Sequence, residues 1–132
     1  KTCDMLSLHL PVTQETTGMC NREFFGKCRK GSYFINTSRG ELVDDEALLE
    51  ALENGTIAMA GLDTLDHEPV QKDHPMLSWP REILDRIVFS PHIGGITGSS
   101  FRRGYGMIWD DIEKVAKGEV PGHIVNWKEL EQ

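Results

Sequence analysis

Residues 32–62 read SYFINTSRGELVDDEALLEALENGTIAMAGL. Ser32–Thr37 is aromatic and β-branched and predicts a strand, which Ser38-Arg39-Gly40 breaks. Asp44 or Asp45 then caps a helix over Asp45–Glu53, where Ala47, Leu48, Ala51 and Leu52 form one apolar stripe at helical spacing. Asn54-Gly55 ends that helix. Ile57–Leu62 is a further strand, and its small residues predict close packing on both faces, as in a parallel sheet. Strand, helix, strand at this spacing is the repeating unit of an α/β fold.

The same alternation continues on both sides. Met5–Leu10 is a short apolar strand stopped by Pro11, and Thr13–Thr17 is a polar loop. A short helix begins with Asn21 as candidate cap and runs to about Lys30-Gly31. After Leu62 a polar loop extends from Asp63 to about Leu77, a length that marks functional loops. Glu82–Arg86 predicts a helical turn, and Ile87–Ser90 a fourth strand closed by Pro91. Gly94-Gly95 precedes a helix from about Ser99 to Lys117. Phe101, Tyr105, Ile108, Trp109, Ile112 and Val115 recur on one side of that helix and predict a buried face. The tail to Gln132 reads as extended and polar.

Composition narrows the function classes. The 132 residues carry 14 Lys+Arg against 21 Asp+Glu, a net charge of −7, so no phosphate-backbone partner such as a nucleic acid is expected. Hydrophobic residues at 39% and charged residues at 27% describe an ordinary globular chain, not a disordered one. No apolar run approaches ~18 residues, so no membrane partner is expected. Cys3, Cys20 and Cys28 lack metal-ligand spacing and read as reduced thiols used for packing, with no metal and a cytoplasmic setting. His67, His74 and His123 read as surface residues, and Trp79, Trp109 and Trp127 as packing residues. The sequence has no signal peptide and opens on Lys1, not Met; the expectation is a processed chain or part of a longer protein.

In parallel sheets, ligands gather beyond the carboxyl ends of the strands. Three polar clusters fall there: Ser38-Arg39-Gly40, Asp63 with Glu68-Pro69, and His92-Ile93-Gly94-Gly95. Arg39 offers a fork of donors matched to a carboxylate. His92 is of the type whose proton moves near neutral pH, and a carboxylate such as Glu68 beside it favours the imidazolium. An imidazolium next to a carbonyl oxygen is a general acid, and the neutral ring is the base of the reverse step. The trio suits interconversion of a 2-keto acid and a 2-hydroxy acid with a nicotinamide. Singly, each residue has an ordinary reading: a turn arginine, a loop Glu-Pro pair, a structural histidine, a turn-capping Asp63.

The ordered set resembles the D-isomer-specific 2-hydroxyacid dehydrogenases, which include phosphoglycerate, glycerate/hydroxypyruvate, formate and D-lactate dehydrogenases. It is carried by Leu8-His9-Leu10-Pro11-Val12-Thr13, Ile35-Asn36-Thr37-Ser38-Arg39-Gly40, Val43-Asp44, Ala60-Gly61-Leu62-Asp63, Glu68-Pro69, Ser90-Pro91-His92-Ile93-Gly94-Gly95, and Gly118-Glu119-Val120-Pro121 with Val125-Asn126. The spacings of 29 residues from Arg39 to Glu68 and 24 to His92 fit the family pattern. The resemblance implies an α/β fold: the second half of a Rossmann-type, doubly wound parallel sheet, without the first βαβ units and the substrate domain. Residues 1–132 would be a partial NAD-binding domain, with 99–132 returning toward the absent substrate domain.

It also implies an oxidoreductase in which Arg39 binds substrate carboxylate and carbonyl, His92 is the acid/base and Glu68 its partner. Asp63 would hydrogen-bond the carboxamide of NAD, the cofactor expected, with NADP as the alternative. Thr37, Ser38 and Arg39 would lie beside the nicotinamide ribose. His9, Leu10 and Pro11 would pack on the adenosine side, with Thr16 near the phosphates. Gly94 and Gly95 would leave room for the nicotinamide.

The G-x-G-x-x-G phosphate cradle of the family is not among these residues. Two expectations follow: the 132-residue chain alone is inactive or nearly so, and an unpaired sheet edge makes it a homo-oligomer. The competing reading is a truncated non-catalytic relative that senses NAD, oligomerises or binds partners.

Overall fold

A computed structural model describes residues 2–126 of the chain, so the expectations for Trp127 and the end of the tail lie outside the described residues. The chain divides into two compact units, Lys1–His92 and Ile93–Gln132.

The first unit holds four parallel strands in sequential order: β1 (Met5–Leu8), β2 (Ser32–Asn36), β3 (Ile57–Leu62) and β4 (Ile87–Phe89). Three helices connect them: α1 (Arg22–Gly26), α2 (Asp45–Glu53) and α3 (Arg81–Leu84). Register decides where function can sit. Leu8 lies beside Asn36, Asn36 beside Leu62, and Leu62 beside Phe89. All four strands therefore end level, and the segments that follow them emerge along one rim.

Phe34, Ala60 and Ile87 are neighbours across one face, which joins Phe25, Leu48, Leu52 and Ile83 from the helices in a single core. The opposite face carries Met5, Tyr33, Met59 and Val88, all exposed. Close packing on both faces is thus corrected: among the described residues of this unit, one face is covered. The cause is that α1, α2 and α3 all contribute to the same core, whereas a parallel sheet needs a layer on each side.

α2 begins where the Asp44 carboxylate accepts the Ala47 amide at 3.0 Å. It ends at Gly55, whose φ of +74° suits a residue without a Cβ. α1 is shorter than the sequence pattern predicts; it stops at Gly26, and Lys27 and Cys28 continue as single turns onto the Phe24 and Phe25 carbonyls. Short 3-10 turns at Gly40–Leu42 and Pro75–Ser78 carry no amphipathic period and were not legible in the sequence. Cys20 is buried, and burial pushes its thiol up to about 12; Cys28 is half-buried, and Cys3 is exposed instead of packed.

In the second unit, α4 (Gly98–Ala116) starts at a reciprocal cap, the Thr97 hydroxyl taking the Ser100 amide while Ser100 Oγ takes the Thr97 amide, each at 3.1 Å. The expected buried face is corrected: no residue of α4 is buried, and Trp109 is 62% exposed. The apolar stripe is present in the pattern, but no described residue of its own unit covers it. Asp111 accepts the Gly122 amide at 2.7 Å and pairs with His123 at 2.9 Å, tying the tail to its helix. Among the described residues, no helix is long and apolar enough to cross a membrane.

Candidate active site

The loop after β2 is set by Asn36, fully buried, whose amide donates to the Arg39 carbonyl at 2.7 Å while its carbonyl accepts the Ser38 amide at 3.0 Å. Ser38 Oγ donates to Leu8 O at 2.8 Å and accepts the Leu10 amide at 3.1 Å. This one hydroxyl clamps the ends of β1 and β2 together and fixes the chain from His9 to Pro11. Thr37 and Arg39 are left exposed. Arg39 spends Nη1 on the Ser38 carbonyl at 2.6 Å and lines a pocket.

Gly40 explains how Arg39 meets the next loop. A Cβ there would overlap the backbone of Leu65 and Asp66. The 3-10 turn is therefore pressed directly against the Asp63–Glu68 segment, an approach only glycine permits.

That segment starts with Asp63, whose amide extends the ladder to the Asn36 carbonyl at 2.9 Å. Asp63 Oδ1 accepts the His92 amide at 3.2 Å and the Ser90 hydroxyl. The bond holds His92 at φ +52°, in the left-handed region, where a side chain other than glycine costs roughly 1–2 kcal/mol. His67 has φ +55° just ahead of Glu68. Two such residues flank the chemistry of one small rim.

Glu68 Oε1 accepts the Leu65 amide at 3.0 Å, and Oε2 lies 2.6 Å from His92 Nδ1. Partial burial, the largest single influence, pushes the Glu68 carboxyl up. The His92 hydrogen bond, the Leu65 amide and the imidazole charge together outweigh it and the repulsion of Asp63. Glu68 thus lies below the ordinary carboxylate range and is ionised at neutral pH. With Glu68 ionised, Nδ1 is the donor, and Nε2 is the ring nitrogen left to give or take a proton.

Arg39, Gly40, Leu65, Glu68 and His92 line one pocket of about 480 Å³. A second cavity of about 690 Å³ shares Glu68 and His92 and adds Asp63, Met76, Phe89 and Ser90. Arg39, Glu68 and His92 therefore line one pocket, with the Glu68 carboxylate and the His92 imidazole in direct contact. Asp63 joins them through His92, and His9, Leu10 and Pro11 are tied to the same rim by Ser38.

Thr16 is not brought into this cluster by any hydrogen bond: its hydroxyl donates to Pro11 O at 2.8 Å and accepts the Thr13 amide at 2.8 Å, closing its own loop. Gly94 and Gly95 belong to the second unit, in the turn Ile93–Ile96 before α4, where a Cβ would meet open space.

Asn36, Ser90 and the close contact of Gly40 escaped the sequence reading as positioning devices. Asn before a turn is the one local signal that could have marked the first. The reading of His74 as a surface residue is corrected: it is 7% exposed, because its imidazole caps the turn Pro75–Ser78, accepting the Met76 amide at 3.3 Å.

The model of the D-isomer specific 2-hydroxyacid dehydrogenase family, NAD binding domain, matches residues 1–94. A glyoxylate reductase from Thermofilum pendens is 39% identical over 123 residues, covering 93% of this chain and 35% of that protein. A D-3-phosphoglycerate dehydrogenase from Methanocaldococcus jannaschii is 34% identical over 132 residues, all of this chain and 24% of that protein. The crystal structure of D-lactate dehydrogenase with NAD+ from Lactobacillus jensenii superposes with a TM-score of 0.76 at 34% identity, covering 93% of this chain and 39% of that one. The chain belongs to the D-isomer specific 2-hydroxyacid dehydrogenase family and has its Rossmann-type α/β fold. It spans about a third of the first relative's length and about a quarter of the second's.

Proposed function

We propose that the protein carrying this chain is an NAD-dependent 2-hydroxyacid dehydrogenase acting on a small 2-keto or 2-hydroxy acid. The observation that carries the reading is the Glu68–His92 pair at 2.6 Å, sharing a pocket with Arg39. Arg39 grips the substrate carboxylate through its unspent N–H groups and orients the adjoining carbonyl. His92 gives its Nε2 proton to the carbonyl oxygen as that oxygen becomes a hydroxyl, and takes it back in the reverse direction. Glu68 fixes the ring's tautomer by accepting the Nδ1 proton.

The donor set fits a nicotinamide cofactor. Among the described residues Asp63 Oδ2 has no hydrogen-bond partner, so this carboxylate retains an acceptor for a carboxamide N–H at the edge of the larger cavity. His9, Leu10, Pro11, Thr37 and Ser38 would hold the rest of the cofactor at the level strand ends, with Thr16 keeping the neighbouring loop closed and Gly94 and Gly95 supplying clearance. When bound, the nicotinamide supplies or accepts the hydride.

These 132 residues carry no G-x-G-x-x-G phosphate cradle, which elsewhere contributes charge-assisted hydrogen bonds of roughly 1.5–3 kcal/mol each. The chain alone is accordingly taken to be inactive. The free thiols suit a cytoplasmic setting, and the open sheet face and the β1 edge suit self-association.

The test is NADH oxidation with a panel of 2-keto acids, on the whole protein and on this chain. Turnover by the whole protein, lost about 10²–10⁴-fold in His92→Asn, is the expected result. Undiminished turnover in His92→Asn, or normal turnover by the 132 residues alone, would contradict the respective claims.

A further inference from the structure

His74 stands six residues after Glu68, at the far end of the same loop. It is buried, and its surroundings are specific. Nδ1 accepts the Met76 amide at 3.3 Å, so in that state the ring proton sits on Nε2. Nε2 faces the Asp45 carboxylate of α2 at 3.9 Å, beyond hydrogen-bond length but well within the range of charge and dipole. Burial pushes the Asp45 carboxyl up; His74 counters this, and Asp66 and Asp44 add to it. Met76 is itself buried and lines the larger cavity together with Glu68 and His92. The His74 carbonyl also accepts the Leu77 amide at 2.9 Å, and its amide donates to Gln71 at 3.1 Å.

The loop that carries Glu68 is thus held at two points. Its first half is pressed against Gly40 and drawn in by the Asp63 carboxylate. Between them and His74, residues 67–73 are all exposed. Without the second anchor, the freedom of that exposed stretch passes directly to Glu68, whose 2.6 Å contact with His92 has little tolerance.

We propose that His74 is a positioning residue for the reaction: by capping the Pro75–Ser78 turn against α2, it fixes the loop end that keeps Glu68 on His92. The inference rests on the functional reading above for its catalytic consequence, but not for its structural content.

Two readouts separate these. In the whole protein, the Glu68 carboxyl is titrated by NMR, which requires no activity, and the pH profile of NADH-dependent reduction is recorded alongside. His74→Ala should move the Glu68 titration up toward the ordinary carboxylate range. It should also lower kcat by roughly 10- to 100-fold with KM changed less, and displace the pH profile. His74→Asn places an acceptor where Nδ1 stands and should restore both. His74→Gln places its acceptor farther out and should not.

A folded His74→Ala with an unmoved Glu68 titration overturns the proposal. If His74→Ala does not fold, equal Glu68 titrations in the Asn and Gln variants overturn it as well. A Glu68 titration shifted in His74→Ala, together with a wild-type protein that reduces no 2-keto acid, would sustain the anchoring role and overturn the functional reading instead.

Discussion

Helices α2 and α4 look alike as sequence and differ as structure. Each opens on a side-chain cap, Asp44 in one and Thr97 in the other, and each carries apolar residues at helical spacing. Yet α2 buries Ala47, Leu48, Ala51 and Leu52 in nine residues, while α4 buries none in nineteen. An amphipathic period states which face a helix needs covered. It does not state whether a cover is present, because that depends on residues far away in the chain.

The difference can be tested by substitution in this chain, with chemical denaturation as the measurement. The largest effect is expected at Leu48, fully buried in α2: Leu48→Ala should cost about 2–5 kcal/mol, from lost transfer energy and the cavity left behind. A cost under ~1 kcal/mol would mean that the α2 core is loosely filled. Gly40→Ala comes next. Its methyl would strike the Leu65-Asp66 backbone, and overpacking of this kind costs about 1–3 kcal/mol. Because the same contact brings Arg39 to Glu68, activity of the whole protein should fall further than stability does. Equal losses would show that Gly40 serves the fold alone.

A smaller effect is expected at Glu68, on the loop that His74 holds against α2. Its folded carboxyl titrates below the unfolded value. The stability it contributes is therefore present above the unfolded carboxylate range and lost as pH falls through the lower, folded value. Glu68→Gln should flatten that acid limb by under about 1 kcal/mol, since the pair is partly exposed. An unchanged pH dependence of unfolding would show that the pair gives no stability. The smallest effect belongs to Trp109→Ala in α4, expected within ~0.5 kcal/mol in this chain. Repeating it in the whole protein sharpens the contrast: a cost rising to that of a core residue would reveal a cover for the α4 stripe.

Much of the site could be read before any coordinates, for a simple reason. Parallel strands in sequence order end at one rim, so residues just after them are neighbours however distant in the chain. Arg39 and His92 were legible on that ground, and Glu68 through its loop. Asp63 was legible as polar and placed at a strand end, although its grip on the His92 amide was not. His74 was misread because a lone histidine in a polar loop carries no period, and the Asp45 carboxylate that it faces arrives from α2. The left-handed backbone at His67 and His92 was equally hidden, since only a surrounding structure makes a non-glycine residue keep it.

From sequence alone came the alternation of strands and helices, the cap at Asn21, a cap at Asp44 or Asp45, and the order of the chemical groups. These are local properties, dictated by side-chain period and backbone preference. The tertiary structure decided which sheet face is covered, that Ser38 clamps two strand ends, and that Gly40 lets two loops touch. It also decided that Glu68 and His92 stand at bonding distance. Those outcomes depend on the simultaneous position of residues dozens apart, and no window along the chain contains them.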